Sequence, residues 1–321
     1  MQHSRYLVVL MLFTSLSAGS IAPVEPSAND LIATGQYRLA ADALLRAIRQ
    51  NRVPGQENQE SAALLSNLGL VYDKLGRYVE AETALEKSVR IFQDLGDTAG
   101  QNYARALNNL GNVHLSQKRF AKATAMFNDV LAIYRNGPKD SARDIALVLN
   151  NLGLVNLSQK RYARAEQLFR ESLELHPKAR ENNTEIGVTL NNIALVCKLQ
   201  NRLQEAAGLY SQAIDMWRES SVIPRPEIAV GLHNLASLEN TLNHNGRSEE
   251  HFKEALAIVE ASFSAEHPYR TSIMTGYADL LLKIGRKREA RQLLAGVRTL
   301  RAKHDHENFQ DLSVNVRDLA R

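Results

Sequence analysis

The sequence predicts an all-α solenoid of stacked helix–turn–helix units, on three observations. First, the segments LLSNLGLVY, ALNNLGNVH, VLNNLGLVN, TLNNIALVC, GLHNLASLE and IMTGYADLL bring a small residue to Gly69, Gly111, Gly153, Ala194, Ala236 and Ala278, at spacings of 42, 42, 41, 42 and 42 residues. Second, each small residue is followed at fixed distances by another small residue (Ala81, Ala123, Ala165, Ala206, Ser248, Ala290) and then by a large apolar one (Leu85, Phe127, Phe169, Tyr210, Phe252, Leu294). Third, no strand pattern of comparable strength occurs anywhere in the chain. A fixed period of this length marks supersecondary units that bury their apolar faces against neighbouring units instead of in one globular core.

Taken in order, the chain opens on an address. Arg5 precedes an unbroken apolar run from Tyr6 to Phe13, and Ser15, Ser17, Ala18, Gly19 and Ser20 follow. Charge, apolar run and small residues in that order read residues 1–22 as a secretory signal peptide, cleaved between Ala18 and Ala22. The run is shorter than the roughly 20 residues that span a bilayer, and no cysteine follows it for lipid attachment. The expected destination is periplasmic or extracellular.

A partial unit spans residues 27–54. GQYRLAADALLRAI (Gly35 to Ile48) matches a second helix. The first helix starts near Ser27, with Asp30 three residues on, and is cut short by Pro23 and Pro26. Six full units follow near 62–103, 104–145, 146–186, 187–228, 229–270 and 271–303. In the first, Leu65, Leu68, Gly69 and Tyr72 share one helical face, where the small residue admits a close neighbour. Gly76, Asn201, Asn243 and Gly285 occupy the inter-helix turn, a position that suits a left-handed backbone; Lys118 and Lys160 hold it at a cost. Pro54, Pro138, Pro177, Pro224, Pro226 and Pro268 fall between units, where they break no helix. The fifth unit departs from the pattern at Asn245 and Ser248, and the sixth replaces the Asn pair with Thr275 and Gly276, as a capping unit does. Residues 304–321 form a tail in which Leu312, Val314 and Val316 alternate, with no element assigned.

Composition leaves little room for other classes. Of 321 residues 44% are hydrophobic and 23% charged, a soluble, core-forming composition. A net charge of +4 with no basic run excludes a nucleic-acid surface. Cys197, the single cysteine, excludes an internal disulfide and any zinc site with two thiolates. No phosphate loop, GxSxG elbow or HExxH motif occurs, so neither an enzyme nor a cofactor is expected. His304, Asp305, His306 and Glu307 cluster in the tail, but two histidines at i and i+2 carry no metal assignment. Cys197 falls on the packed side of its helix and reads as a small buried hydrophobe.

The order Leu, Gly or Ala, an aromatic, then Ala, a large apolar residue and Ala or Ser resembles the tetratricopeptide repeat over about residues 27–303. The 42-residue period, with LNNLG or LNNIA opening each unit, resembles the kinesin-light-chain-like branch. The resemblance implies a right-handed superhelix whose first helices face a concave groove that binds a protein or extended peptide. Asn67, Asn109, Asn151, Asn192 and Asn234 recur two residues before the small position, and Asn108, Asn150 and Asn191 precede three of them. An amide carries both a donor and an acceptor. Such a ladder suits either the backbone of a strand-like peptide, the role the resemblance favours, or a bridge between adjacent helices. The lysine and arginine clamp for a peptide's C-terminal carboxylate is not matched: the corresponding positions hold Ser66, Asn108, Asn150, Asn191, His233 and Thr275. Arg77, Arg119, Arg161, Arg202 and Arg286 recur in the turns, with His244 in the fifth unit; they are expected to cap the preceding helix and to pair with acids of the next unit. The resulting function is that of an exported, non-enzymatic peptide-binding scaffold. The alternative is a self-associating or envelope-assembly component.

Overall fold

The computed structural model describes residues 27–33, 36–51, 57–137, 141–176, 183–220, 226–262 and 268–311, with side chains described through residue 302 except at 33, 220, 226, 262 and 268. The signal-peptide segment and the alternation at Leu312, Val314 and Val316 lie outside the described residues. Those described form fourteen helices and no strand.

The partial unit is α1 (Ala28–Ala33) and α2 (Tyr37–Gln50). Ser27 and Asp30 close a reciprocal cap on α1: the Ser27 hydroxyl donates to the Asp30 carboxylate at 2.6 Å, and the Asp30 amide donates back to that hydroxyl at 3.2 Å. Six helix pairs follow: α3 (Gln59–Lys74) with α4 (Tyr78–Asp94), α5 (Gln101–Ser116) with α6 (Phe120–Asn136), α7 (Ala142–Ser158) with α8 (Tyr162–Leu175), α9 (Asn183–Leu199) with α10 (Leu203–Ser220), α11 (Pro226–Thr241) with α12 (Asn245–Ser262), and α13 (Pro268–Lys283) with α14 (Lys287–Asp311). Each first helix begins three or four residues ahead of the unit start given by the small-residue register. Its opening turn adds a further apolar position in four units, Tyr103, Ile145, Ile186 and Ile228, each eight residues before the small one and buried in or packed against the core. In α11 and α13 the helix opens on proline, whose missing N–H has no partner there to lose. The last helix continues through His304–Glu307 to Asp311.

The two recurring positions of each unit meet each other. A Cβ built on Gly69, Gly111 or Gly153 would lie 2.4, 2.6 and 2.4 Å from side-chain atoms of Leu85, Phe127 and Phe169, the large residues of their own units. The small residue is therefore the socket for the large one, which explains why the two recur at a fixed offset along the array. Ser248 stands in for alanine at no cost, because its buried hydroxyl donates to the Ala236 carbonyl at 2.8 Å.

All six turn positions take the left-handed backbone: φ is 74° and 84° at Gly76 and Gly285, 59° and 60° at Lys118 and Lys160, and 64° and 63° at Asn201 and Asn243. At each turn the following residue donates its amide back across the helix end, as Arg77 does to the Tyr72 carbonyl at 2.8 Å and Arg202 to that of Cys197 at 2.8 Å. The arginines thus cap through the main chain. Three of their side chains reach the preceding unit, not the next one: Arg119 pairs with Glu82 at 2.6 Å, Arg202 with Glu166 at 2.7 Å and Arg286 with Glu249 at 2.7 Å, whereas Arg77 pairs with Glu80 of its own unit at 3.1 Å. The turn lies beside the second helix of the unit before it, so the acid within reach is the one already stacked.

Candidate functional site

In each unit the first helix packs on its own second helix, on the second helix of the unit before, and on the first helices of its neighbours; second helices make their inter-unit contacts with the next first helix. Elements on the inner side of a curved stack approach one another most closely, so the first helices line the concave side. On an α-helix, residues two apart point about 200° from each other. Gly153 faces Phe169 of α8, so Asn151 faces away from the second helix, toward the groove.

There the asparagines form one continuous ladder between units. The Asn109 amide donates to Ser66 Oγ at 3.3 Å, Asn151 to Asn108 Oδ1 at 2.8 Å, Asn192 to Asn150 Oδ1 at 3.0 Å and Asn234 to Asn191 Oδ1 at 2.9 Å. The second Asn of each pair is the donor, and the first Asn of the preceding unit is the acceptor. Asn67 opens the ladder with no such bond upstream among the described residues. At the other end a Cβ on Gly276 of the sixth unit would lie 2.9 Å from Cε1 of Phe252 and 3.0 Å from Cε1 of His233, whose ring occupies the space of an amide. That ring packs edge-on against Phe252, with centroids 5.8 Å apart, and burial pushes its pKa down to about 4, so it stays neutral.

The bridging bonds give a prediction whose sign depends on the ladder. Changing Asn109, Asn151 and Asn192 together to Ala leaves Ser66, Asn108 and Asn150 without their partners. Each loss costs about 1–2 kcal/mol at these half-buried and buried sites, offset by about 0.5 kcal/mol of helix propensity per substitution. A circular dichroism melt of the triple mutant shows a lower midpoint, by a net of about 1.5–4.5 kcal/mol; a midpoint at or above that of the wild type means the bonds add nothing to the stack.

Sequence reasoning missed the apolar stripe that runs beside the ladder. Leu147, Leu154, Val188, Leu195, Leu199 and Val230 share the asparagine face of α7, α9 and α11, and Leu147 and Leu199 remain 40% and 49% exposed. Reading each first helix at offsets of four and three residues from the outward Asn would have found it. Tyr37 of α2 is half-buried, and burial with the nearby Tyr269 and Glu227 of the fifth and sixth units raises its phenol pKa.

Cys197 is fully buried, and burial pushes its thiol up to about 11, so it is no nucleophile. Its Sγ and carboxylate oxygens of Glu166 and Glu205 lie within 4.8 Å of one another. Both carboxylates, however, are bonded to the Arg202 guanidinium, at 2.7 and 2.6 Å, which already supplies the cation there. No described helix is long and apolar enough to cross a membrane.

A sequence profile of the tetratricopeptide repeat matches residues 25–94, 60–136, 144–219 and 227–302. The chain belongs to the tetratricopeptide repeat family. Among solved structures, its fold is similar to a Rap protein complexed with competence and sporulation factor (14% identity over 87% of this chain and 74% of that one, TM-score 0.67). It is also similar to the Rap conjugation gene regulator of plasmid pLS20 in complex with the Phr* peptide (17%, 92% and 82%, TM-score 0.65). A kinesin-light-chain tetratricopeptide-like repeat protein of Podosopora anserina shares the repeat architecture (19%, 63% and 96%, TM-score 0.50). No curated protein matches the sequence.

Proposed function

We propose that this tetratricopeptide array is an exported scaffold that binds an extended polypeptide segment along its first-helix face. The observation that carries the reading is the apolar stripe on α7, α9 and α11, exposed at Leu147 and Leu199, beside a row of amides. Leu147 and Leu199 are large, exposed and on the inner side of the stack, where a bound strand would cover them. The ladder spends one N–H of each donor asparagine on the neighbouring unit. An amide has a second N–H and an oxygen with two lone pairs, which suit the C=O and N–H of a peptide main chain. Apolar side chains of the segment would sit on the leucines, and the main chain along the amides. The two Rap structures, each solved with its bound factor or peptide, support a polypeptide ligand for this fold.

Affinity capture from the extracytoplasmic fraction of the source cell tests this reading. The full-length mature array retains a distinct polypeptide that a Leu147→Asp, Leu199→Asp variant releases. Recovery of copies of the chain alone, with mass rising with concentration in sedimentation, replaces the reading with self-association. Export rests on residues 1–22. Deleting them leaves a folded protein confined to the cytoplasm; an unchanged exported fraction on immunoblotting of cell fractions overturns it.

A further inference from the structure

On the outer side of the array, a cleft of about 590 Å³ opens between α10 and α12, floored by α11. Its volume falls in the range of small-ligand sites. In the flanking junctions between the third and fourth and the fifth and sixth units, the turn arginine reaches back over the preceding second helix to Glu166 and to Glu249. Here the acid is replaced by Ala207 and the arginine by His244, so the strap is missing. Gly208 and Ser211 continue the opening along α10, where the third unit has Gln167 and Arg170 and the fifth Glu250 and Lys253.

Gly208 is the informative residue. Glycine in a helix interior is less favourable than any residue but proline. At Gly153 or Gly187 a Cβ would meet a neighbour's side chain at 2.4 or 2.5 Å, so packing requires glycine there. At Gly208 a Cβ would meet nothing within 4 Å, and the backbone is not left-handed. Neither packing nor conformation calls for glycine, and its effect is to keep one wall of the cleft bare.

The charges around the cleft are unevenly matched. The two arginines are engaged: Arg218 with Glu254 at 2.7 Å, and Arg247 with His244 Nδ1 at 2.6 Å and Glu239 at 3.5 Å. The two carboxylates retain capacity. Glu239 is 5% exposed and makes one short bond, to His251 Nδ1 at 2.7 Å, although an ionised carboxylate accepts about four. Asp215, exposed on the α10 wall, has no hydrogen bond or ion pair among the described residues. Between them the floor is apolar, with Leu232 and Leu235.

We propose that this outer cleft is a second binding site that takes a cation on an apolar stem, an ammonium or guanidinium whose head meets Asp215 at the α10 wall while its stem lies on the leucines. The chemistry is met by a free amine or by a lysine or arginine side chain of a partner polypeptide. The site is independent of the first-helix face.

Titration of the full-length mature protein with phenethylamine, followed by nuclear magnetic resonance, tests it. The amine saturates the wild type, and phenethyl alcohol, its uncharged counterpart, binds at least about tenfold more weakly, the loss expected when one charge-assisted hydrogen bond is removed. Asp215→Asn weakens the amine by a similar factor. Gly208→Leu fills the cleft, abolishes binding and leaves the melting midpoint unchanged or higher. Equal binding of amine and alcohol, undiminished amine binding to Gly208→Leu, or no saturation of the wild type overturns the proposal. A blocked Leu-Lys-Leu peptide run beside the amine separates the two sources: tighter binding of the peptide assigns the site to a polypeptide side chain, and tighter binding of the amine to a small ligand.

Discussion

Gly153→Leu lowers the melting midpoint of the array, and by more than any single surface substitution. The Cβ alone would stand 2.4 Å from Cε1 and 2.6 Å from Cδ1 of Phe169, and the ring is fully buried in the third unit. It has nowhere to turn, because Ala165 and Ile193 are packed into the same core. Overpacking costs about 1–3 kcal/mol in ordinary cores, and a whole leucine side chain in a socket that excludes its first carbon belongs at or above that top value. Removing a helical glycine returns about 0.8 kcal/mol, too little to reverse the sign. Stability in a stacked array is a sum of units and their interfaces, so the loss at a central unit weakens both neighbours. The same change at Gly208 serves as the control, since no atom there opposes it. A circular dichroism melt in which Gly153→Leu matches the wild type contradicts the close-approach role of the small residues.

The repeat was legible because its determinants are local. Gly69 and Leu85, or Gly153 and Phe169, sit at a fixed offset within one helix pair, so a steric socket leaves a periodic trace in the sequence. The left-handed turns were legible for the same reason, even at Lys118 and Lys160, where residue type argued against them and register for them. Contacts between units were less legible. A period shows that Arg119, Arg202 and Arg286 recur, but not whether they reach forward or back, which depends on how one unit is rotated on the last. The asparagines posed the same problem: the pairs are visible, but which amide donates to which neighbour is set by that rotation. Gly276 reads as a lost asparagine in sequence, whereas in the fold it makes room for the Phe252 and His233 rings. The outer cleft leaves only a subtractive trace, at Ala207, Gly208 and Ser211, where the third and fifth units carry longer side chains.

The central claim is that the first-helix face, through its exposed leucines, holds an extended polypeptide. Calorimetric titration of a peptide selected from a random display library against the wild-type array, repeated on the Leu147→Asp, Leu199→Asp variant, tests it most directly. Both leucines are about half exposed, so the variant keeps its melting midpoint. Covering each on binding contributes on the order of 1 kcal/mol, and placing a carboxylate against an apolar ligand group removes at least that. The account predicts that the variant binds the peptide at least about thirtyfold more weakly at an unchanged midpoint. Equal affinity of the two proteins for that peptide would contradict it.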